Sequence, residues 1–212
     1  MQKEAVLAVI AVAMFVFAIY NAMSLPSSPS PILRDNYRII FFHLPAAITS
    51  FFAFTVTLIS SILYLLKNDH RFDIIAKNSA KGGFFLITAA LVSGSVWANV
   101  AWGTFWNWDP RETTVLILWF VYAAYFALRE SIDSPSDRAR TSAIYSIFAY
   151  ITVPLSYLSS QIFFSLHPKV EALDVKIGMP LGIAITSFIL LFIAYLMVNY
   201  RLDKLEEVVM GE

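Results

Sequence analysis

The sequence predicts an all-α, polytopic membrane protein with six transmembrane helices and both termini in the cytoplasm. Three observations lead there. Of 212 residues, 58% are hydrophobic and only 14% charged, far from the balance of a soluble domain. Six stretches are apolar over roughly the 20 residues that a helix needs to cross a bilayer. Lys and Arg, finally, gather on one of the two sides that those stretches define. The chain reads as a single six-helix domain, 1–212, without an internal repeat.

The first span, Ala5–Met23, follows Lys3 as a signal peptide would. Its apolar run is too long for one and no A-x-A cleavage site follows, so it reads as an anchor. The second span runs Ile40–Leu66 and the third Gly82–Ala101, with a basic loop containing "KNDHRFD" between them. The fourth, Thr114–Leu128, is short, and its first turn is expected at the preceding Asp-Pro. There Asp109 as N-cap, Pro110 at the first helical position and Glu112 at the third make a start resembling a capping box. On this reading Asp109 and Glu112 are mainly architectural, aiming the neighbouring tryptophans, and are not an acid/base pair. The fifth and sixth spans are Ser142–Phe164 and Leu181–Tyr200.

Lys3, Lys67, Arg71, Lys77, Lys81, Arg129, Arg138, Arg140, Arg201 and Lys204 fall on one side of the membrane, and Arg34, Arg38, Arg111, Lys169 and Lys176 on the other. The positive-inside rule makes the first side cytoplasmic. Net charge is zero and no basic run occurs, so membrane lipid is an expected partner and nucleic acid is not. Cysteine is absent, which excludes thiol chemistry, disulfides, iron–sulfur ligation and a CxxCH haem attachment within this chain.

With that orientation the segment "WGTFWNWDPRET", residues 102–113, lies on the outer face between the third and fourth spans, in a loop at about 97–113. An aromatic belt would spread tryptophans over several spans and both faces. Here Trp97, Trp102, Trp106 and Trp108, four of the five in the chain, fall within twelve residues. Two of the three histidines share that face: His43 in "FFHLPAA" and His167 in "FFSLHPKV"; His70 belongs to the basic cytoplasmic loop. A single interfacial histidine is commonly structural, but two at one depth in apolar surroundings point to a site. Each is followed closely by proline, which can free a backbone carbonyl to fix an imidazole tautomer; the prolines equally suit helix ends.

Two histidines are too few for a closed zinc site, which takes about four ligands. Bis-histidine ligation of haem iron needs only two, one on each face of the ring. Tryptophans offer the porphyrin a broad aromatic surface, and Arg34, Arg38, Arg111 or Lys169 offer its propionates a charge-assisted partner.

"WGTFWNWDPRET" resembles the tryptophan-rich WWD motif, W-G-x-x-W-x-W-D, of a superfamily of haem-handling proteins. The whole chain, with six spans and one histidine-bearing segment on each side of the motif, resembles its cytochrome c maturation protein C family (CcmC, haem exporter protein C). "IIFFHLPAA" is similar to that family's segment around its first histidine. In one respect the chain departs: "WDPRET" is nearer the WDP-K/R-E form of the related cytochrome c synthetases than the W-D-A-R-L-T of this family.

The resemblance implies a haem b site on the outer face, with His43 and His167 as axial iron ligands and Trp102, Trp106, Trp108, Asp109, Arg38 and Arg111 around the cofactor. It further implies delivery of haem to a membrane-anchored chaperone (CcmE-like), in a complex with an ABC-type CcmA/CcmB pair and a small CcmD-like subunit, and no catalysis by this chain. Two alternatives remain. A CcsA-like haem ligase resembles a four-histidine arrangement, where this chain has three histidines. A cytochrome b electron-transfer subunit would place bis-histidine pairs within the bundle and has no need of an outer tryptophan loop.

Overall fold

A computed structural model describes residues 2–28, 30, 34–167 and 175–210. Within these the chain is helical almost throughout: α1 Gln2–Met23, a 3-10 turn Asn36–Ile39, α2 Ile40–Lys67, α3 His70–Trp102, α4 Pro110–Glu130, α5 Pro135–Ala149, α6 Thr152–Ile162 and α7 Val175–Met210. Six candidate membrane spans result, because α5 and α6 together make the fifth, Pro135–Ile162. Helices are what a bilayer requires of an apolar chain, since every backbone N–H and C=O must be paired within the segment.

α2 is central and packs against α3, α5 and α7, while α1 lies along α7 and α4 lies against α5 and α6. The buried face of α2 is made of small residues, including Ala46, Thr49, Ser50, Ala53, Thr57, Ser60 and Ser61, which lets neighbouring backbones approach closely. Opposite it on α3 stands Gly83, where a Cβ would fall 2.8 Å from the Phe54 ring. Phe54 in turn stacks on Tyr122 of α4 with centroids 3.7 Å apart, and Ile87, Ala90, Leu118 and Tyr125 complete this core. The opposite surfaces expose Val9, Val16, Phe85, Phe120 and Phe148, apolar side chains suited to face lipid tails.

Three helices differ from the reading of the apolar runs. α3 starts at His70, twelve residues before the apolar run, because Asp69 caps it by accepting from the Arg71 N–H at 3.0 Å and its polar first turns are paired. Asn78 and Lys77 both meet Asp203 of α7, at 2.6 and 2.8 Å, and the same pairing carries α7 on past Tyr200. The loop between the second and third spans is accordingly reduced to Asn68 and Asp69. The fifth span is broken at Tyr150–Ile151, where the N–H groups of Ile151 and Val153 bond three residues back, to Phe148 and Tyr150, at 3.2 and 2.9 Å. Pro154 explains the break: it has no N–H for the Tyr150 carbonyl, and its ring crowds that group. α4 begins at Pro110 with Asp109 as N-cap, as its sequence predicts.

The basic ends of the spans lie together. Arg129 of α4 makes a bidentate pair with Asp73 of α3, at 2.8 and 2.5 Å, both nearly buried. His70 reaches Glu207 of α7 at 3.2 Å. Arg201 of α7 meets Glu4 of α1 at 2.9 Å, so the two ends of the described chain sit at one end of the bundle. The tryptophan loop is at the other.

Candidate functional site

The loop between α3 and α4 is built by local hydrogen bonds. Gly103 ends α3 at φ +78° and donates its N–H to the Asn99 carbonyl at 3.0 Å, the left-handed close that glycine adopts without cost. The Ser95 hydroxyl then donates to the Phe105 carbonyl at 2.8 Å, folding the loop back on α3. The Asn107 side chain accepts from the Asp109 N–H at 2.9 Å, and Glu112 reaches back to the Asn107 N–H at 3.2 Å. Between them Trp108 is held at φ +62°, a conformation rare for a bulky residue, and it projects outward with 72% of its surface exposed. Such strain persists only where the surroundings enforce it, and it concentrates at functional sites.

The indoles form two groups. Trp106 and Trp108 meet edge to face at 5.9 Å. Trp97 meets Trp102 at 5.0 Å, and Trp102 meets the His167 ring at 5.4 Å, so α3 delivers one aromatic pair directly to a histidine.

His43 lies one turn into α2, with its ring against Gly94 of α3, where a Cβ would stand 2.8 Å from Cε1. Its Nδ1 is 3.0 Å from the Ala90 carbonyl and 3.2 Å from Ser93 Oγ. A carbonyl only accepts, so Nδ1 carries the proton. Ser93 already donates its own hydroxyl hydrogen to the Ala89 carbonyl at 2.7 Å and therefore accepts from the ring. The acceptor expected from the proline two residues on is thus supplied instead by α3. His167 has the same tautomer for a different reason. Its Nδ1 lies 2.9 Å from Asp109 Oδ1, and Asp109 also accepts from the Arg111 N–H, the Ser165 hydroxyl and the Leu166 N–H at 2.7–3.0 Å.

Burial pushes the Asp109 carboxyl up, but the bonds from Leu166, Ser165 and Arg111, with His167 nearby, outweigh it and hold the group below the usual carboxylate range. Burial pushes His167 below its ordinary value, and the Asp109 carboxylate restores only part of the loss. Both rings thus have Nδ1 tied to an acceptor, the arrangement seen in histidines that ligate metals through the other nitrogen. His43, against Gly94 of α3, and His167, against Trp102 at the end of α3, thus stand at the same end of the bundle.

Of the residues singled out in the sequence, the fold brings together His43, His167, Trp102, Asp109 and Arg111. Arg111 also donates to the Tyr157 carbonyl of α6 at 3.0 Å. Arg38 is turned elsewhere: its guanidinium donates to the Ala22 and Leu25 carbonyls at 3.1 and 2.7 Å and pairs with Asp35, closing the C-terminal end of α1. His70 lies at the opposite end of the bundle, and Lys169 falls outside the described residues. Asp109 is a cap, as expected, but it is also the partner of His167, 58 positions away. Gly94, Ala90, Ser93 and Ser165 carried no signal in the sequence.

The donor set suits a haem better than a bare ion. Among the described residues no three His, Cys, Asp or Glu side chains gather where they could hold one, whereas two neutral imidazoles beside an aromatic wall are what a porphyrin iron needs. The fold is that of a multi-pass membrane protein, with six helices long and apolar enough to cross a bilayer, and it gathers two histidines and the tryptophan loop at the end opposite the two ends of the described chain. The match to known proteins is specific. Residues 1–210 fit the model of the family "Heme exporter protein C", and the chain belongs to that family. It is 30% identical over 175 residues to heme exporter protein C of Paracoccus denitrificans, covering 78% of this chain and 72% of that one. With the protein of the same name from Bradyrhizobium diazoefficiens it shares 33% over 177 residues, 77% and 67% of the two chains. A shorter stretch of 84 residues, 40% of this chain and 27% of its relative, is 43% identical to cytochrome c biogenesis protein CcsA of Prochlorococcus marinus. The protein is therefore a haem-handling membrane protein of cytochrome c biogenesis, and not an enzyme.

Proposed function

We propose that this chain binds haem b non-covalently at the outer face of the cell membrane, with His43 and His167 as its axial ligands, and passes it to a membrane-anchored CcmE-like chaperone. One observation carries the reading: both histidines have Nδ1 committed to acceptors, so Nε2 is the ligating nitrogen of each. Trp102 supplies an aromatic wall beside His167. Arg111, which donates its N–H to the His167 partner Asp109 and its guanidinium to the Tyr157 carbonyl, is the partner for a propionate, while Arg38 is held at the end of α1. The excess of Lys and Arg at the opposite end of the spans supports an outward-facing site.

Trp106 and the exposed Trp108 form the outermost aromatic surface, a platform for the chaperone to meet haem. The chain carries no nucleotide motif, so energy for releasing the loaded chaperone comes from partners, an ABC-type CcmA/CcmB pair with a CcmD-like subunit. The short match to CcsA favours a haem-ligase alternative. Against it, His70 is bonded to Glu207 at the far end of the bundle, which leaves a single pair at the site.

Replacing Trp106 or Trp108 by Ala tests the platform. Membrane abundance is expected to hold while bound haem and chaperone loading fall. Loss of the protein from the membrane would instead make the loop an anchor.

A further inference from the structure

The two histidines are held by chemically unequal partners. The Nδ1–H of His167 points at a carboxylate, Asp109, whose side chain is 1% exposed. Three further donors converge on the same carboxylate: the Leu166 N–H, the Ser165 hydroxyl and the Arg111 N–H, at 2.7, 2.8 and 2.9 Å. The Nδ1–H of His43 has only neutral acceptors, and it is divided between them at 3.0 and 3.2 Å. A carboxylate acceptor draws the ring toward imidazolate and raises its basicity as a ligand, more than a backbone carbonyl does. Charge-assisted bonds are roughly twice as strong as neutral ones, so the His167 ring is also the better fixed.

We infer that His167 is the strong, retained axial ligand of the haem and His43 the weak one, which gives way first when another donor takes up the iron. This rests on the reading above, that both histidines ligate. The step is a ligand exchange. The Nε2 lone pair of His43 leaves the iron, and a lone pair from the incoming donor, such as an imidazole, replaces it. The Nδ1 proton stays on the His43 ring, and no electron is transferred. Gly94 fits the role of a positioning residue for the departing ring, because only van der Waals contact and the shared Nδ1–H hold the imidazole on α3. His167 sits in an extended segment, yet that segment is fastened to the start of α4 by three bonds to Asp109, from Ser165, Leu166 and the ring itself.

The test uses the full chain, purified with its native membrane partners and loaded with haem. His43→Ala is expected to keep near-normal haem content with a five-coordinate, high-spin spectrum, and His167→Ala to lose at least tenfold in haem affinity. Two milder variants separate ligand strength from folding. Asp109→Asn keeps a cap acceptor but removes the charge, and Ser93→Ala removes one neutral acceptor of His43.

In the ferrous five-coordinate haem made by photolysing bound carbon monoxide, the iron–histidine stretch should move to lower frequency in Asp109→Asn and stay put in Ser93→Ala. Haem affinity should fall on the order of 10–100-fold in Asp109→Asn, the usual effect of losing such a partner. Equal haem loss in the two alanine variants would overturn the inference. So would an iron–histidine stretch that follows Ser93 and ignores Asp109. A wild-type protein without low-spin haem would instead overturn the bis-histidine reading beneath it, and the two failures are distinguishable.

Discussion

Asp109 shows what one residue can and cannot reveal in a sequence. Its role as N-cap follows from Asp-Pro-x-Glu alone, and the bond to the Arg111 N–H bears it out. Its second role, on His167, needs the fold, because no local pattern links positions 109 and 167. Gly94 is similar. Its value lies in the Cβ it lacks, which would strike His43 at 2.8 Å, and that contact spans two helices.

The site's electrostatics give a pH dependence with a definite sign. Burial lowers His167 from its ordinary 6.5, so between the two values the unfolded or opened chain binds the extra proton and the closed site does not. That contribution is complete above about pH 6.5 and is lost as pH falls through the depressed value. Asp109 is lowered from 3.8, so its contribution is complete above that value and is lost in stronger acid. Both terms act in the same direction. Haem retention measured across a pH series should be flat through neutrality and fall only on the acid side, in the order His167 then Asp109. Release beginning above pH 6.5 would contradict the assignment of His167 as a buried neutral ligand.

At the scale of elements, the apolar runs locate every span, but they miss where helices continue beyond the hydrocarbon. α3 starts early because its polar turns find partners on α7, 125 positions away in the pairing of Asn78 with Asp203, and hydropathy is blind to such pairing. The break between α5 and α6 had a visible cause in Pro154, but a proline inside an apolar run is also tolerated by membrane helices, so the sequence left the outcome open.

The buried pair of Asp73 and Arg129 ties α3 to α4 at the end far from the site. Arg129→Ala leaves Asp73 buried without its partner and is expected to cost about 3–5 kcal/mol, whereas a double Asp73→Leu, Arg129→Met variant should recover most of it. Thermal unfolding in detergent measures both. A single variant as stable as the parent would show that the pair holds nothing together.

At the scale of the molecule, the interhelical ion pairs and the tryptophan loop lie at opposite ends. The end bearing both described termini carries the interhelical ion pairs Glu4–Arg201, Lys77–Asp203 and Asp73–Arg129. The other gathers His43 from α2, Trp97 and Trp102 from α3, Asp109 from the head of α4 and His167 from the segment after α6. No short stretch of chain contains that site. The motif marked one wall of it and the histidines stood out as polar groups in apolar surroundings, but only the packing of α2 on α3, and of Ser165–His167 on α4, brings the two imidazoles to one end with the same tautomer.

The absorption spectrum of the haem-loaded chain tests that convergence most directly, with the parent compared against the His43→Ala, His167→Ala double variant, both purified with native membrane partners. The parent should show a six-coordinate, low-spin haem, and the double variant, at equal abundance, should show none, with exogenous imidazole restoring part of the low-spin signal. A fully loaded, low-spin haem in the double variant would place the ligands elsewhere and contradict the account.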